Sequence, residues 1–101
     1  MSKAYLIARI RVTDPDAYRG YIARTPAAVA EQGGRFLVRA GEFATLEGPA
    51  EDRRIVVIEF PSRAALDAFW TGAAYAEAKR FRLGAAEFEA IAVTGVDDTT
   101  A

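Results

Sequence analysis

Apolar and polar residues alternate from Lys3 to Val12, with Leu6, Ala8, Ile10 and Val12 on one side and Tyr5, Ile7, Arg9 and Arg11 on the other. That period of two predicts a β-strand with one buried face. The pattern changes after Thr13-Asp14-Pro15-Asp16, where a side-chain cap, a proline suited to a first helical turn and an acid favoured by the helix dipole predict a helix start. Tyr18, Tyr21, Ile22, Thr25 and Val29 then recur at three- and four-residue spacing, as one helical stripe. Pro26 has no amide hydrogen and crowds the preceding turn, so a kink or a restart with Thr25 as a new cap is expected there.

Gly33-Gly34 terminates the helix, and alternation resumes. Arg35 to Ala40 predicts a second strand, with Phe36, Val38 and Ala40 opposed to Arg35, Leu37 and Arg39. Gly41 marks an expected bulge or bend, after which Glu42 to Leu46 continues extended and Glu47 to Arg53 forms a polar turn. A third strand follows at Arg54 to Phe60, with Val56, Ile58 and Phe60 opposed to Ile55, Val57 and Glu59. Pro61 stops it and Ser62 caps a helix whose stripe is Ala65, Leu66, Phe69 and Trp70. Gly72 interrupts that helix, a second piece from Ala73 to about Arg82 carries Tyr75, and Leu83-Gly84 closes it. Glu87 to Val93 is the fourth strand, and the small polar tail from Val96 is expected to fray. Residues 1–95 thus make one domain and 96–101 a flexible tail.

Strand, helix, strand, strand, helix, strand is the βαββαβ order of ferredoxin-like α+β folds, a four-stranded antiparallel sheet with helices on one face. One sheet face is wholly apolar and belongs under the helices. The other mixes Ile7, Leu37, Ile55, Val57, Ile91 and Val93 with Tyr5, Arg9, Arg35, Arg39, Glu59 and Glu89. So much aliphatic surface exceeds what a soluble monomer usually exposes, and the sheet of an identical subunit is the expected cover.

Composition narrows the chemistry. Thirteen basic against fourteen acidic residues leave a net charge of -1, which supports neither nucleic acid nor an anionic membrane as partner. No apolar run is long enough for a membrane span or a signal-peptide core, so a cytoplasmic location is expected. The chain has no cysteine and no histidine. Thiolate chemistry, the usual general base and the commonest transition-metal and haem ligands are therefore missing, and neither cofactor nor metal is expected. Glu47, Glu51 and Asp52 read as a solvated turn rather than a metal loop.

The remaining candidates are charged and aromatic. In the usual strand order of this fold Arg9 lies between the strands that bear Glu59 and Glu89. Charge buried between two sheets must be paired or must meet a ligand, so Arg9, Arg39 and Glu59 are either ion pairs that fix dimer register or contacts for a carboxylate-bearing molecule. Trp70 and Tyr75 are core residues or pocket wall, and Tyr18 and Tyr21 read as packing residues.

GGRFLVRAG at Gly33 to Gly41, RRIVVIEFPS at Arg53 to Ser62, and the aromatic-rich helix running through Tyr75, Lys79 and Arg82 to LGAA at Leu83 to Ala86 together resemble the DUF1330 family, over about Ala4 to Gly95. The resemblance implies a ferredoxin-like domain that pairs through its sheets as a dimeric α/β barrel, and it implies no activity. Where that family commonly carries Ser-Pro-Glu-Tyr, this chain has Gly72-Ala73-Ala74-Tyr75, so only the tyrosine carries over.

The leading expectation is a homodimer that binds a small carboxylated or aromatic metabolite between sheet and helices, with Arg9 and Arg39 as anion contacts, Glu59 orienting an arginine and Trp70 as wall. The alternative is a cofactor-independent isomerase or monooxygenase-like enzyme with Glu59 or Tyr75 as base, which needs a raised carboxylate or a depressed phenol pKa. An interaction-only dimeric scaffold is the third expectation.

Overall fold

The computed structural model describes residues 2–97. The elements are β1 (Ser2–Val12), α1 (Pro15–Glu31), β2 (Arg35–Arg39), β3 (Arg54–Phe60), α2 (Arg63–Thr71), α3 (Ala73–Lys79) and β4 (Ala86–Asp97). All neighbouring strands pair antiparallel in the order β2-β3-β1-β4, so the fold is the expected ferredoxin-like one. None of the described helices is long and apolar enough to cross a membrane.

Local chemistry explains the element boundaries. The Asp14 carboxylate accepts from the Ala17 amide at 3.2 Å and Pro15 occupies the first turn of α1, while the Ser62 hydroxyl accepts from the Ala65 amide at 3.0 Å to start α2. Gly33, at φ 73°, turns the chain out of α1, and the Gly34 amide then donates to the Val29 carbonyl at 3.0 Å. β4 is longer than its alternation suggests. Its pairing with β1 carries through Thr94 opposite Ala4 to Asp97 opposite Ser2, so Val96 and Asp97 are strand rather than tail. The rest of the expected tail, 98–101, lies outside the described residues.

The core lies between the sheet and the helices. Ala4, Leu6, Ala8 and Ile10 of β1 and Ile58 and Phe60 of β3 meet Val29, Leu66, Phe69, Tyr75 and Ala78 from the helices. Burying a side chain the size of Leu66 or Phe60 contributes roughly 1.5–3 kcal/mol relative to leaving it in water. Phe60, Phe69, Tyr75 and Trp70 form a continuous aromatic run, with successive ring centroids at 5.1, 4.7 and 4.9 Å. α1 packs against α3, and at Gly20 a Cβ would run into the Phe81 ring, so the close approach of α1 requires glycine there.

Two expectations are corrected at β2. Glu42 to Leu46 carries no strand, and the irregularity falls at Leu37 rather than Gly41. Phe36 stands opposite Ile58, but Val38 stands opposite Val57 and Arg39 opposite Val56, so Leu37 is an extra residue, a β-bulge. One inserted residue swaps the faces of everything after it. Val38 therefore joins the outer face, and Arg39 moves from the outer face to the helix side with Val56. Ala40 then takes a left-handed conformation, at φ 57°.

The displaced arginine resolves the problem posed by Pro26. α1 runs unbroken through this proline, and Thr25 does not restart it; its hydroxyl donates back to the Tyr21 carbonyl. A residue other than proline at position 26 would donate its amide to the Ile22 carbonyl four residues earlier. Here the Arg39 Nη2 donates to that carbonyl instead, at 3.0 Å. Sheet and helix are thus joined by a hydrogen bond that exists because proline left an acceptor open. Arg39→Ala is expected to destabilise the fold by about 1 kcal/mol in urea denaturation. In a Pro26→Ala background the loss should shrink, since the new amide supplies the missing donor; equal losses in both backgrounds would show that the two positions are uncoupled.

Candidate functional site

The outer face of the sheet carries most of the charge expected to form a site, and nearly all of it is paired. Glu59 accepts from Arg35 Nε at 2.8 Å and from the Tyr5 hydroxyl at 3.2 Å, with Lys3 Nζ at 3.9 Å. Arg9 stands opposite Glu89 in the β1–β4 register, yet its guanidinium reaches Glu51 at 3.5 Å. Glu89 instead receives Arg53, at 3.0 Å. Arg53 also donates to Glu51 at 3.0 Å, and Arg11 bridges Asp52 and Glu87 at 2.9 and 3.2 Å. The turn that follows β2 folds back to supply Glu51 and Asp52, which is why carboxylates read as a solvated turn are partners of the sheet arginines. Among the described residues no group of three or more acidic side chains is gathered to hold a metal ion.

These pairings decide what Glu59 can do. Its hydrogen bond from Arg35 holds its pKa below the ordinary glutamate value, against the smaller opposing effect of burial. A general base near neutral pH needs the reverse shift, and Glu59 also projects away from the helices. Glu51 is held down further, to about 2, chiefly by the Arg53 side chain and then by the Arg53 backbone amide.

The helix side of the sheet is different. α1 stands over β1 and β3 with a cleft of about 40 Å³ between them, floored by Ala8, Ile10, Val56 and Phe88 and walled by Tyr18, Tyr21, Phe36, Arg39 and Arg54. Among the described residues no carboxylate lines it. The Arg39 guanidinium lies 4.6 Å from the Phe36 ring and that of Arg54 lies 5.6 Å from the Tyr18 ring, and among the described residues neither has an acidic partner. Burial pushes the Tyr18 hydroxyl pKa up, opposed by the positive charges of Arg54, Arg82 and Arg39. Three cations therefore act on one phenol.

Behind the cleft, the hydroxyls of Tyr21 and Tyr75 lie 3.0 Å apart, and Arg82 Nε donates to Tyr75 at 3.2 Å. Arg82 is buried, and its guanidinium packs 3.9 Å from the Phe88 ring centroid with no carboxylate of the described residues in ion-pair reach. Burial, followed by the neighbouring Tyr75, raises the pKa of Tyr21, so its phenol stays protonated. Trp70 stacks on Tyr75 and lines a separate hollow of about 210 Å³ beside α2, whose charged residues Arg63 and Asp67 already bond each other at 2.9 Å. The larger space thus has charges paired with each other, and the smaller one has cations without an acidic partner among the described residues.

Of the residues singled out by sequence, Arg39 reaches the cleft, Trp70 and Tyr75 meet in the aromatic core, and Arg9 and Glu59 lie apart on the outer face. Arg54, Tyr18, Tyr21 and Arg82 complete the helix-side cluster. Arg54 was legible, because it shares the apolar face of its strand with Val56, Ile58 and Phe60.

A ferredoxin-like α+β domain with an arginine- and tyrosine-lined cleft between sheet and helices is the class that fold and site define. The chain belongs to the DUF1330 family, a domain of unknown function, which matches residues 3–96. It is similar in structure to the RPA0582 protein of unknown function from Rhodopseudomonas palustris, with a TM-score of 0.71 at 21% identity over 95% of this chain and 84% of that one. It is similar also to SnoaB, a cofactor-independent oxygenase from Streptomyces nogalater, with a TM-score of 0.68 at 14% identity over 100% of both chains. A dimeric ferredoxin-like protein of unknown function from Jannaschia sp. CCS1 superposes with a TM-score of 0.68 at 17% identity over 90% of this chain and 97% of that one. No curated protein matches the sequence. At these identities the likeness establishes the fold.

The pairing of Glu51 and Glu59 predicts the acid response. Both pKa values are lower folded than unfolded, so their stabilisation is fully present above the ordinary glutamate value of 4.5 and is lost as pH falls toward about 2. Urea midpoints measured from pH 6 to pH 2 should fall in that window, and Glu51→Gln should flatten the fall. An unchanged slope in the variant would dissociate Glu51 from acid unfolding.

Proposed function

We propose that this protein is a homodimer that binds a small carboxylate-bearing molecule in the cleft between α1 and the sheet. The observation that carries the reading is a pair of guanidinium groups, Arg39 and Arg54, without acidic partners among the described residues, in a mostly apolar and aromatic cleft. Elsewhere on the sheet the arginines of the outer face have carboxylates within 3.5 Å. An anion entering the cleft gains charge-assisted hydrogen bonds from the exposed Arg39 and the half-buried Arg54, for which no carboxylate competes among the described residues. Arg54 is the cleaner contact, because Arg39 spends one donor on the Ile22 carbonyl. A volume of about 40 Å³ suits a short acid, or the head of a longer one whose remainder lies at the mouth.

Support for the dimer comes from the outer face. Leu37, Ile91 and Val93 are 46%, 59% and 39% exposed in the single chain, on the same face as Ile7, Ile55 and Val57. A matching sheet would cover this surface, and the similar Jannaschia protein is dimeric. The ion pairs among Arg9, Glu51, Arg53 and Glu89 then fix charge at the rim of that contact.

An enzyme of the cofactor-independent kind is the second reading, favoured by the buried tyrosine and arginine side chains and by the fold shared with SnoaB. It would use Tyr21 as a proton donor, since burial keeps that phenol protonated and the paired Glu59 lacks the pKa and the position of a base.

Propionate titrated into the protein and followed by NMR is expected to shift resonances of Tyr18, Tyr21 and Phe88, and Arg54→Ala should weaken that binding about tenfold. Equal affinity in the variant would remove the anion site. Sedimentation at micromolar concentration should give a dimer, and replacing Ile91 with lysine should give a monomer; a wild-type monomer would refute the sheet-to-sheet contact.

A further inference from the structure

The hydrogen-bond chain behind the cleft has a direction, and it can be read from the donors alone. Arginine has only donors to offer, so the Tyr75 oxygen must accept from Arg82 Nε. Tyr75 is 1% exposed, and among the described residues its hydroxyl has two hydrogen-bond neighbours, Arg82 and Tyr21. Its own proton has therefore one acceptor available, the Tyr21 oxygen. Aiming it elsewhere would leave a buried donor unsatisfied, at a cost of about 1–3 kcal/mol. The Tyr21 oxygen thus accepts, and the Tyr21 proton is left over. Tyr21 lines the cleft together with Arg39 and Arg54.

We propose that Tyr21 is a specificity-determining donor that reads a carbonyl oxygen next to the carboxylate held by Arg39 and Arg54, so that the cleft selects short 2-oxo acids over simple carboxylic acids. The proposal rests on the anion-binding reading above and adds the second oxygen. Arg82 acts through Tyr75 as a positioning residue: its charge polarises the Tyr75 hydroxyl, which in turn makes the Tyr21 proton a better donor. Among the described residues no carboxylate lies beside Arg82, which matters here because a paired guanidinium would polarise the chain less. Tyr18, whose ring centroid lies 5.2 Å from that of Tyr21, closes the side of the cleft and holds the donor's ring in place. A site built to give a hydrogen bond discriminates against ligands that lack the acceptor, because the donor must then be left unpaired or solvated.

The test compares pyruvate with propionate, which differ by the carbonyl, in the full chain. Wild-type protein is expected to bind pyruvate about five- to tenfold more tightly than propionate. Tyr21→Phe should bring that ratio to about one. Arg82→Met should lower the ratio and Arg82→Lys restore it in part, a rescue that a purely structural role in packing would not produce. Neutron diffraction from deuterium-exchanged crystals gives a ligand-free readout, with the Tyr75 deuteron on the line to Tyr21 and the Tyr21 deuteron facing the cleft. A Tyr21 deuteron aimed at Tyr75, or a pyruvate preference unchanged in Tyr21→Phe, would overturn the proposal. Loss of propionate binding in Arg54→Ala together with equal wild-type affinities for the two acids would keep the anion site and reject the carbonyl donor. If Arg54→Ala leaves propionate binding intact, the underlying anion reading fails instead.

Discussion

Side chains on a β-strand alternate between two faces, and hydrogen bonding between strands fixes which face each residue takes. A single extra residue, Leu37, breaks the parity of β2 against β3. Everything distinctive about the helix-side cleft depends on that break. Without it Arg39 would share the outer face with Arg35 and Glu59, the Ile22 carbonyl left open by Pro26 would lose its donor, and Arg54 would be the one cation at the cleft wall. The left-handed Ala40 and the loop beyond it follow from the same step, because the strand leaves the sheet with its faces exchanged.

The near-neutral charge of the chain conceals an uneven arrangement. On the outer face the arginines and carboxylates neutralise one another, with Glu51 and Asp52 brought in from the loop. On the helix side, among the described residues, Arg39, Arg54 and Arg82 are balanced by aromatic rings, a carbonyl and a phenol rather than by acids. Ring faces and neutral acceptors stabilise a guanidinium less than a carboxylate does, so the field in the cleft stays positive. That field, and not net charge, is what a small anion would meet.

The aromatic core links the two parts. Tyr75 packs between Phe69 and Trp70 and also carries the hydroxyl that joins Arg82 to Tyr21. Its place in α3 is set by Gly72, which ends α2 with an extended backbone and lets the helical path turn. The Gly72-Ala73-Ala74 segment that departs from the commoner pattern of the family has no polar side chain, so Tyr75 is the one polar group it sends inward. Substituting that tyrosine would change packing and polarity together.

Sequence alone determined the strands, the caps at Asp14 and Ser62, the helix-side core and the unpartnered outer face, because each depends on neighbours a few residues away or on simple alternation. The strand order followed from the order of the elements. Arg54 shares the parity of Val56, Ile58 and Phe60, so alternation carried a signal for this cation that the reading of that face as wholly apolar passed over. Tertiary structure decided the rest. The bulge at Leu37 depends on how β2 registers against β3, and the helix through Pro26 depends on a donor arriving from the sheet. Glu59 and Arg9 turned out to have partners because Arg35 lies across the ladder and the loop before β3 folds back. Such pairings join residues separated by tens of positions, and periodicity carries no information about them. The Arg82–Tyr75–Tyr21 chain is of the same kind: two packing tyrosines and an arginine at a helix end become one hydrogen-bonded path only in the folded chain.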